Sequence, residues 1–367
     1  MEKILLTDIC RPKQWKTIST SDLHEKGYPV YGANGKIGFF DKYTHEFPTV
    51  LITCRGATCG TINISEPKSY VNGNAMALDN LSANYSLKYL YYILIARGLN
   101  DVVSGSAQPQ ITRENLSKVK IPNPSFATQQ KIATILDKAD ELRQYNQQLI
   151  EKYEALTQSL FLDMFGDPVK NEKGWEKKSL GEILKFLTSG SRGWAKYYSN
   201  TGDIFLRIQN VGYNKLRLDD LTFINTPNTA EAKRTKVEPG DIVISITADL
   251  GRTAVIPDNF PTAFINQHLA ILRLSEDNNP FYISEFIASN GGQTLFNKLD
   301  KGGVKSGLNF TDLKSYKLFL PPLELQNQFA ERIQLIEAQK QQAQEALAKS
   351  EALFQGLLQQ AFKGELG

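Results

Sequence analysis

From Ile132 onward, apolar residues recur at alternating steps of three and four: Ile132, Ile135, Ala139, Leu142, Asn146, Leu149, Tyr153, Leu156 and Leu160. A 3.5-residue period held over about four heptads predicts a long helix with a narrow apolar seam. Asn146 stands at a seam position, where a polar side chain can fix register. A second, weaker run reads Ile333, Ile336, Lys340, Ala343, Leu347, Ser350, Phe354, Leu357 and Ala361. Neither run contains a proline, and Gly166-Asp167-Pro168 stops the first. Over residues 129–165, the first helix would span roughly 55 Å at 1.5 Å per residue. Such stripes also arise when helices lie on a globular core. Here the stripe is narrow and the rest is Gln, Lys and Glu, which favours a two-helix coiled coil.

Elsewhere the period shortens. Residues 50–53 (VLIT) and 242–246 (IVISI) are compact β-branched runs suited to buried strands, with turn signals around them at 31–35 (YGANG) and 238–241 (EPGD). Residues 87–99 and 281–296 suit amphipathic helices. The expected class is α+β.

The chain also repeats itself, in order. NLSKVKIPNPSFATQQKIATILDKADEL, from Asn115, parallels DLKSYKLFLPPLELQNQFAERIQLIEAQ, from Asp312. TVLITCRGATCGTINI, from Thr49, parallels DIVISITADLGRTAVI, from Asp241, with one gap; YVNGNAMAL at Tyr70 parallels FINQHLAIL at Phe264. SLFLDMFGD, from Ser159, parallels GLLQQAFKGEL, from Gly356. Two repeats are expected, each a globular part followed by a long helix.

Within the first repeat, Asn123-Pro124-Ser125-Phe126 has the Asn-Pro-x-aromatic form of the amino-methyltransferase motif, which holds a flipped base. A methyltransferase also needs alternating strands and helices with a Gly-rich turn, a pattern missing upstream. The second repeat has Leu320-Pro321-Pro322-Leu323 at this place, keeping the proline and helix start but not the Asn or aromatic. The stretch therefore reads as the junction between domain and helix.

Charge adds little. Lys and Arg number 42 against 39 Asp and Glu, a net +3, so DNA binding would rest on local patches. Cys10, Cys54 and Cys59 form no CxxC pair, which points to reduced thiols and no metal site. His24, His45 and His268 have no ligand spacing, and His268 reads as a satisfied core residue. No signal peptide and no apolar run of about 18 residues stands in the sequence, so a soluble cytoplasmic protein with no membrane association is expected.

With these repeats in view, the sequence resembles the specificity subunit of type I restriction–modification systems. The match runs along essentially the whole chain. Its carriers are YGANGKIG at Tyr31, the paired strand segments, the Pro-x-x-x-x-Gln-Gln helix start at Pro124–Gln130, and PPLELQNQ at Pro321, where Asn327 replaces the second Gln. The resemblance implies a target-recognition domain at 1–124, a helix at 125–166, a second recognition domain at 167–322 and a second helix at 323–367. The same resemblance implies that the two helices form an antiparallel coiled coil, with the C-terminal stretch ending near the first domain. It implies a non-catalytic subunit in which each domain reads half of a bipartite double-stranded DNA target while the helices set the gap. Implied partners are two adenine-N6 methyltransferase subunits and ATP-dependent restriction subunits. No cofactor is expected in this chain; S-adenosylmethionine, ATP and Mg would sit in the partners.

Candidate DNA contacts follow from residue type: cations and backbone N–H groups for phosphates, and Arg, Gln, Asn, Lys and Ser for base edges. The first domain offers Lys36, Arg55, the polar loop Ser104, Ser106, Gln108 and Gln110, and Arg113. The second offers Arg192, Trp194, Lys196 and Tyr198 in a basic-aromatic cluster, then Arg207, Gln209, Asn210 and Arg252, and the loop Lys301, Lys305, Ser306 and Asn309. An ordinary surface loop, or aromatics packing the domain, remains the competing reading for each.

Overall fold

The structure is a computed structural model, and it describes residues 2–33, 35–105, 107–299 and 307–366. The chain divides into two compact units: residues 1–149 with 343–367, and residues 150–342. Each unit therefore holds one half of each long helix, Phe126–Phe165 and Leu323–Lys363.

The units share one topology. In the first, an antiparallel sheet runs in the order Arg11–Gln14, Ala75–Asp79, Val50–Thr53, Ile62–Ile64. In the second, Leu184–Ser189, Leu269–Leu274, Ile242–Ser245 and Thr253–Val255 repeat that order. A second sheet in each unit centres on Tyr28–Gly32 or Asp203–Leu206, which pairs in parallel with Tyr70–Val71 or Ala263–Ile265. A two-stranded ribbon, Lys3–Leu5 with Lys120–Pro122 or Glu176–Ser179 with Lys317–Leu320, leads into each long helix. The β-branched runs form the central strands, all four residues of each being buried.

Backbone hydrogen bonds fix the correspondence residue by residue. Ile111 N–H donates to Cys54 O at 3.0 Å, as Leu308 does to Ile246 at 2.9 Å. Gly60 N–H donates to Thr53 O at 2.8 Å, as Gly251 does to Ser245 at 3.1 Å. Tyr89 Oη donates to Pro122 O at 3.2 Å, as Tyr282 does to Phe319 at 2.8 Å.

The junction is built from one glutamine per repeat. Gln129, 1% exposed, accepts from Ser86 N–H at 2.8 Å through Oε1 and donates to Pro124 O at 3.0 Å through Nε2. Gln326, also 1% exposed, accepts from Asn279 N–H at 2.9 Å and donates to Pro321 O at 2.8 Å. The Pro-x-x-x-x-Gln spacing thus exists to let a side-chain amide reach back to the proline carbonyl while capping a neighbouring helix. Asn123-Pro124-Ser125-Phe126 is part of this junction: Asn123 N–H donates to Glu2 O, and Ser125 Oγ accepts from Thr128 N–H.

The helices pack antiparallel. In the first unit Asn146 Nδ2 donates to Ser350 Oγ at 3.3 Å, and Arg143 reaches Glu351 at 3.2 Å. In the second unit Phe161 meets Phe329, with ring centroids 5.7 Å apart. Ile132, Ala139 and Asn146 are buried, as are Ile333, Ala343 and Phe354. The other half of the first seam is corrected. Ile135, Leu142 and Leu156 are 38%, 46% and 48% exposed, and Leu149 is half-buried. The buried positions lie one residue later, at Leu136 and Ile150, with Arg143 and Thr157 half-buried in the same row. Each half-helix also packs on a globular core, which turns the buried stripe from the heptad seam toward the i+4 row. Arg143 is tolerated there because Asp140, Glu351 and the Phe354 ring surround it. On the second helix Leu160's counterparts hold better: Ile336, Leu347 and Leu357 are half-buried, although Leu358 rather than Leu357 is fully covered. Leu160 itself is half-buried against the second core.

The expected helix over 281–296 is two helices, Pro280–Ala288 and Asn290–Asn297. Ser289 breaks it, its Oγ accepting from Gly292 N–H at 3.0 Å as an N-cap.

Candidate nucleic-acid interface

In the first unit three loops meet at one end of the sheets. The turn after Gly32 is tied down by Thr53 and Thr58, whose hydroxyls donate to Ala33 O at 2.7 and 3.1 Å. The loop 54–60 is bridged to the loop 104–110 by Arg55 facing Gln110, and Gly56 N–H donates to Pro109 O at 3.2 Å. Ser104 closes its own loop, exchanging backbone hydrogen bonds with Gln110 at 2.8 Å. Gly105 is required in that turn. Its φ is +85°, and a Cβ there would stand 2.5 Å from Gln108 O. Arg55, Gln108, Gln110 and Arg113 are exposed around this cluster. Lys36 is held by Glu66 at 3.1 Å and lies 4.7 Å over the Phe39 ring. Asn115 was missed by sequence reading. Its Nδ2 donates to Val102 O at 2.8 Å, anchoring the base of the 104–110 loop.

The second unit repeats the arrangement: Thr247 bridges to Gly307 as Arg55 does to Gln110. Ser106, Lys301, Lys305 and Ser306 lie outside the described residues. Arg192, Lys196 and Tyr198 are exposed. Two of the candidates, Trp194 and Asn210, are buried in structural roles, which corrects their assignment as DNA contacts. Trp194 is 5% exposed, stacked on Phe205 at 5.2 Å, with its indole N–H donating to Glu231. A large ring with one polar atom is stabilised more by this pocket than by exposure. Asn210, 1% exposed, spends its amide on Arg217 O and Asp220 O, at 3.0 and 2.9 Å. Asn309 caps the helix Phe310–Ser315, accepting from Thr311 and Asp312 N–H.

Arg207 and Gln209 both donate to Asp220 Oδ2, at 3.1 and 2.7 Å, and Arg252 pairs with Asp249. The Nε atoms of Arg207 and Arg252 are buried without a partner. His268 has Thr247 Oγ1 2.6 Å from Nδ1 and Gln267 Nε2 3.0 Å from Nε2, a satisfied imidazole. Burial pushes the Cys10 thiol up to about 12, with Asp79 adding to the shift, so this sulfur stays protonated. Among the described residues no group of three or more His, Cys, Asp and Glu is placed to hold a metal, and no helix is long and apolar enough to cross a membrane.

This doubled geometry has matches among known proteins. The family model for the type I restriction modification DNA specificity domain fits residues 1–155 and again 172–348. The type I restriction enzyme MjaIX specificity subunit of Methanocaldococcus jannaschii is 27% identical over 360 residues, covering 86% of this chain and 78% of the relative. The Escherichia coli EcoBI specificity subunit is 22% identical, covering 86% and 73%. The crystal structure of a type I restriction-modification S subunit from M. genitalium superposes with a TM-score of 0.68 at 17% identity, covering 98% of this chain and 96% of that one. A chain from a structure concerned with complex assembly and conformational transition of the type I system gives 0.55 at 17%, covering 98% and 97%. These likenesses establish the shared fold, two repeated domains with their helices. The family model covers most of the sequence and does so twice, so this chain belongs to the type I restriction modification DNA specificity family, as a specificity subunit that recognises DNA.

Proposed function

We propose that this chain is the non-catalytic sequence-reading subunit of a type I restriction–modification complex, each unit reading one half of a bipartite target in double-stranded DNA. The observation that carries this reading is the loop bridge found in both units, Arg55 to Gln110 and Thr247 to Gly307, in domains that each join a long helix through the same buried glutamine. Phosphate contacts from exposed Arg192, Lys196 and Arg113 supply affinity. Arg55, Gln108 and Gln110 in one unit, and Arg207 and Gln209 in the other, supply base contacts. The helices act as the spacer between half-sites.

In this reading the chain scaffolds two adenine methyltransferase subunits and the restriction subunits; S-adenosylmethionine, ATP and Mg belong to them. Support comes from apolar side chains left uncovered on the helices: Leu142, Tyr145 and Leu353 in the first unit, Leu156, Leu162 and Leu335 in the second. Exposed leucines on an otherwise Gln/Lys/Glu surface fit a protein-docking face.

The test is a matched insertion of one heptad after Leu149 and after Gln342. Sequencing of methylated host DNA should then show a longer gap between unchanged half-sites. An unchanged gap overturns the spacer role.

A further inference from the structure

The two units differ where they should be most alike. The first joins Tyr28–Gly32 to Gly35–Phe40 by a tight turn, part of the loop cluster above. In the second, the equivalent strands Asp203–Leu206 and Thr222–Ile224 are joined by residues 207–221. This insertion carries Arg207 and Gln209 at one end and a hairpin at the other, closed by Gly212 N–H donating to Lys215 O at 2.7 Å.

The hairpin is pinned at one residue. Asn214 has φ +50°, a left-handed conformation that Asn and Asp adopt more readily than other side chains. Its Nδ2 donates to Glu285 Oε2 at 2.8 Å, and its Oδ1 accepts from Ser284 Oγ at 2.5 Å. Ser284 Oγ also lies 3.0 Å from Thr253 Oγ1, and Lys215 N–H donates to Thr253 O at 3.0 Å. The far end is equally defined. Asn210 holds Arg217 O and Asp220 O, and Asp220 receives Arg207 and Gln209. Hydrogen bonds therefore fix both ends of the insertion, one to the helix Pro280–Ala288 and the other around the two candidate base-reading side chains, with the short hairpin between them.

Among its described residues, the first unit has nothing of this kind. Tyr282 and Tyr89 are equivalent, so Glu285 stands where the first unit has Tyr92, which instead donates to Asp137 at 2.7 Å and packs on Phe354. With Glu285 there, a cavity of about 240 Å³ remains between Asn214, Glu285, Glu154, Thr157, Glu337 and Lys340. A buried carboxylate replacing a packed tyrosine needs a reason, and the amide of Asn214 supplies one.

We propose that Asn214 is the positioning residue of a specificity loop, residues 207–221, which it locks onto Glu285 so that Arg207 and Gln209 meet the second half-site in one preset orientation. This rests on the DNA-reading function proposed above. It assigns the specificity of the second unit to an insertion that the first lacks, and to a residue that touches no DNA.

The test exchanges donor and acceptor. Asn214→Asp keeps the left-handed backbone but places two carboxylates face to face. Adding Glu285→Gln restores the pair in reverse, with the Gln amide donating to Asp. Each variant replaces the wild-type full chain in its host, and the methylated motif is sequenced; purified assemblies are titrated with duplex DNA at pH 8. Asn214→Asp is expected to cost about tenfold or more in affinity for the second half-site and to loosen its base preference, the scale of one lost bidentate contact. The first half-site's bases stay unchanged, and the double variant recovers both readouts. An unaltered second half-site in Asn214→Asp, or a double variant as defective as the single, overturns the proposal. A wild-type chain yielding no bipartite motif sinks the DNA-reading function instead, and the proposal with it.

Discussion

Glu285 is a carboxylate buried to 7% exposure on the helix Pro280–Ala288, and its titration gives a measurable consequence. Burial, the largest influence, raises its pKa from 4.5 to about 7; the Asn214 amide opposes this, Glu337 adds to it and Lys340 opposes it. Glu154, Lys215 and Tyr213 also line the adjoining cavity. The folded pKa lies above the unfolded one, so the neutral acid is the form that folding favours. Its contribution is fully present below pH 4.5 and is lost as pH rises through 7. The difference, 7 less 4.5, at about 1.4 kcal/mol per unit, makes the ionised form cost about 3 kcal/mol. Glu285→Gln removes the titration while keeping a carbonyl to accept from Asn214. The variant should match wild type near pH 4.5 and exceed it by about 3 kcal/mol at pH 8, with the gap growing by about 1.4 kcal/mol per pH unit between 4.5 and 7 and levelling off above. Urea titrations at several pH values, read by a brief hydrogen-exchange pulse on peptides from 280–297, measure this in the second unit alone. A gap that is constant from pH 5 to 8 refutes the reasoning.

Two further outcomes follow from the burial and hydrogen bonding described. Gln326→Ala strands the Asn279 N–H and Pro321 C=O, and should cost the second unit about 1–3 kcal/mol in urea unfolding; Gln129→Ala should do the same to the first unit. Trp194→Ala should cost about 3–5 kcal/mol through its emptied aromatic pocket, whereas Arg192→Ala should leave stability alone and lower the salt dependence of DNA binding by about one unit of slope.

The repeat, the strands and the helices were legible because each rests on a local pattern: β-branched runs, a 3.5-residue period, a proline before a helix. The Pro-to-Gln spacing was visible at Pro124 and Pro321 as a signature, but its purpose was not, since Ser86 and Asn279, which Gln129 and Gln326 cap, lie far away in sequence. The first seam was half right for the same reason. Period alone selects Ile135, Leu142 and Leu156, but the globular core competes for the helix and brings Ala133 and Leu136 inward. Trp194 and Asn210 carry side chains that suit DNA and interiors alike, and only their partners separate the two uses. The Asn214–Glu285 link spans 71 residues and lies in an insertion with no counterpart in the other repeat, so self-comparison within the chain could not expose it.

The core of the N-terminal unit takes in Phe354, Leu358 and Ala361 from the far end of the sequence. Residues 150–342, by contrast, form a continuous stretch that contains its own partners. During synthesis the part made first is therefore the part completed last: Ile132, Leu136 and Ala139 wait for a strand of chain about 200 residues downstream, at the expense of a long loop closure. Until then the emerging polypeptide presents an open apolar face, so a nonsense mutation near residue 343 strikes hardest at the opposite terminus.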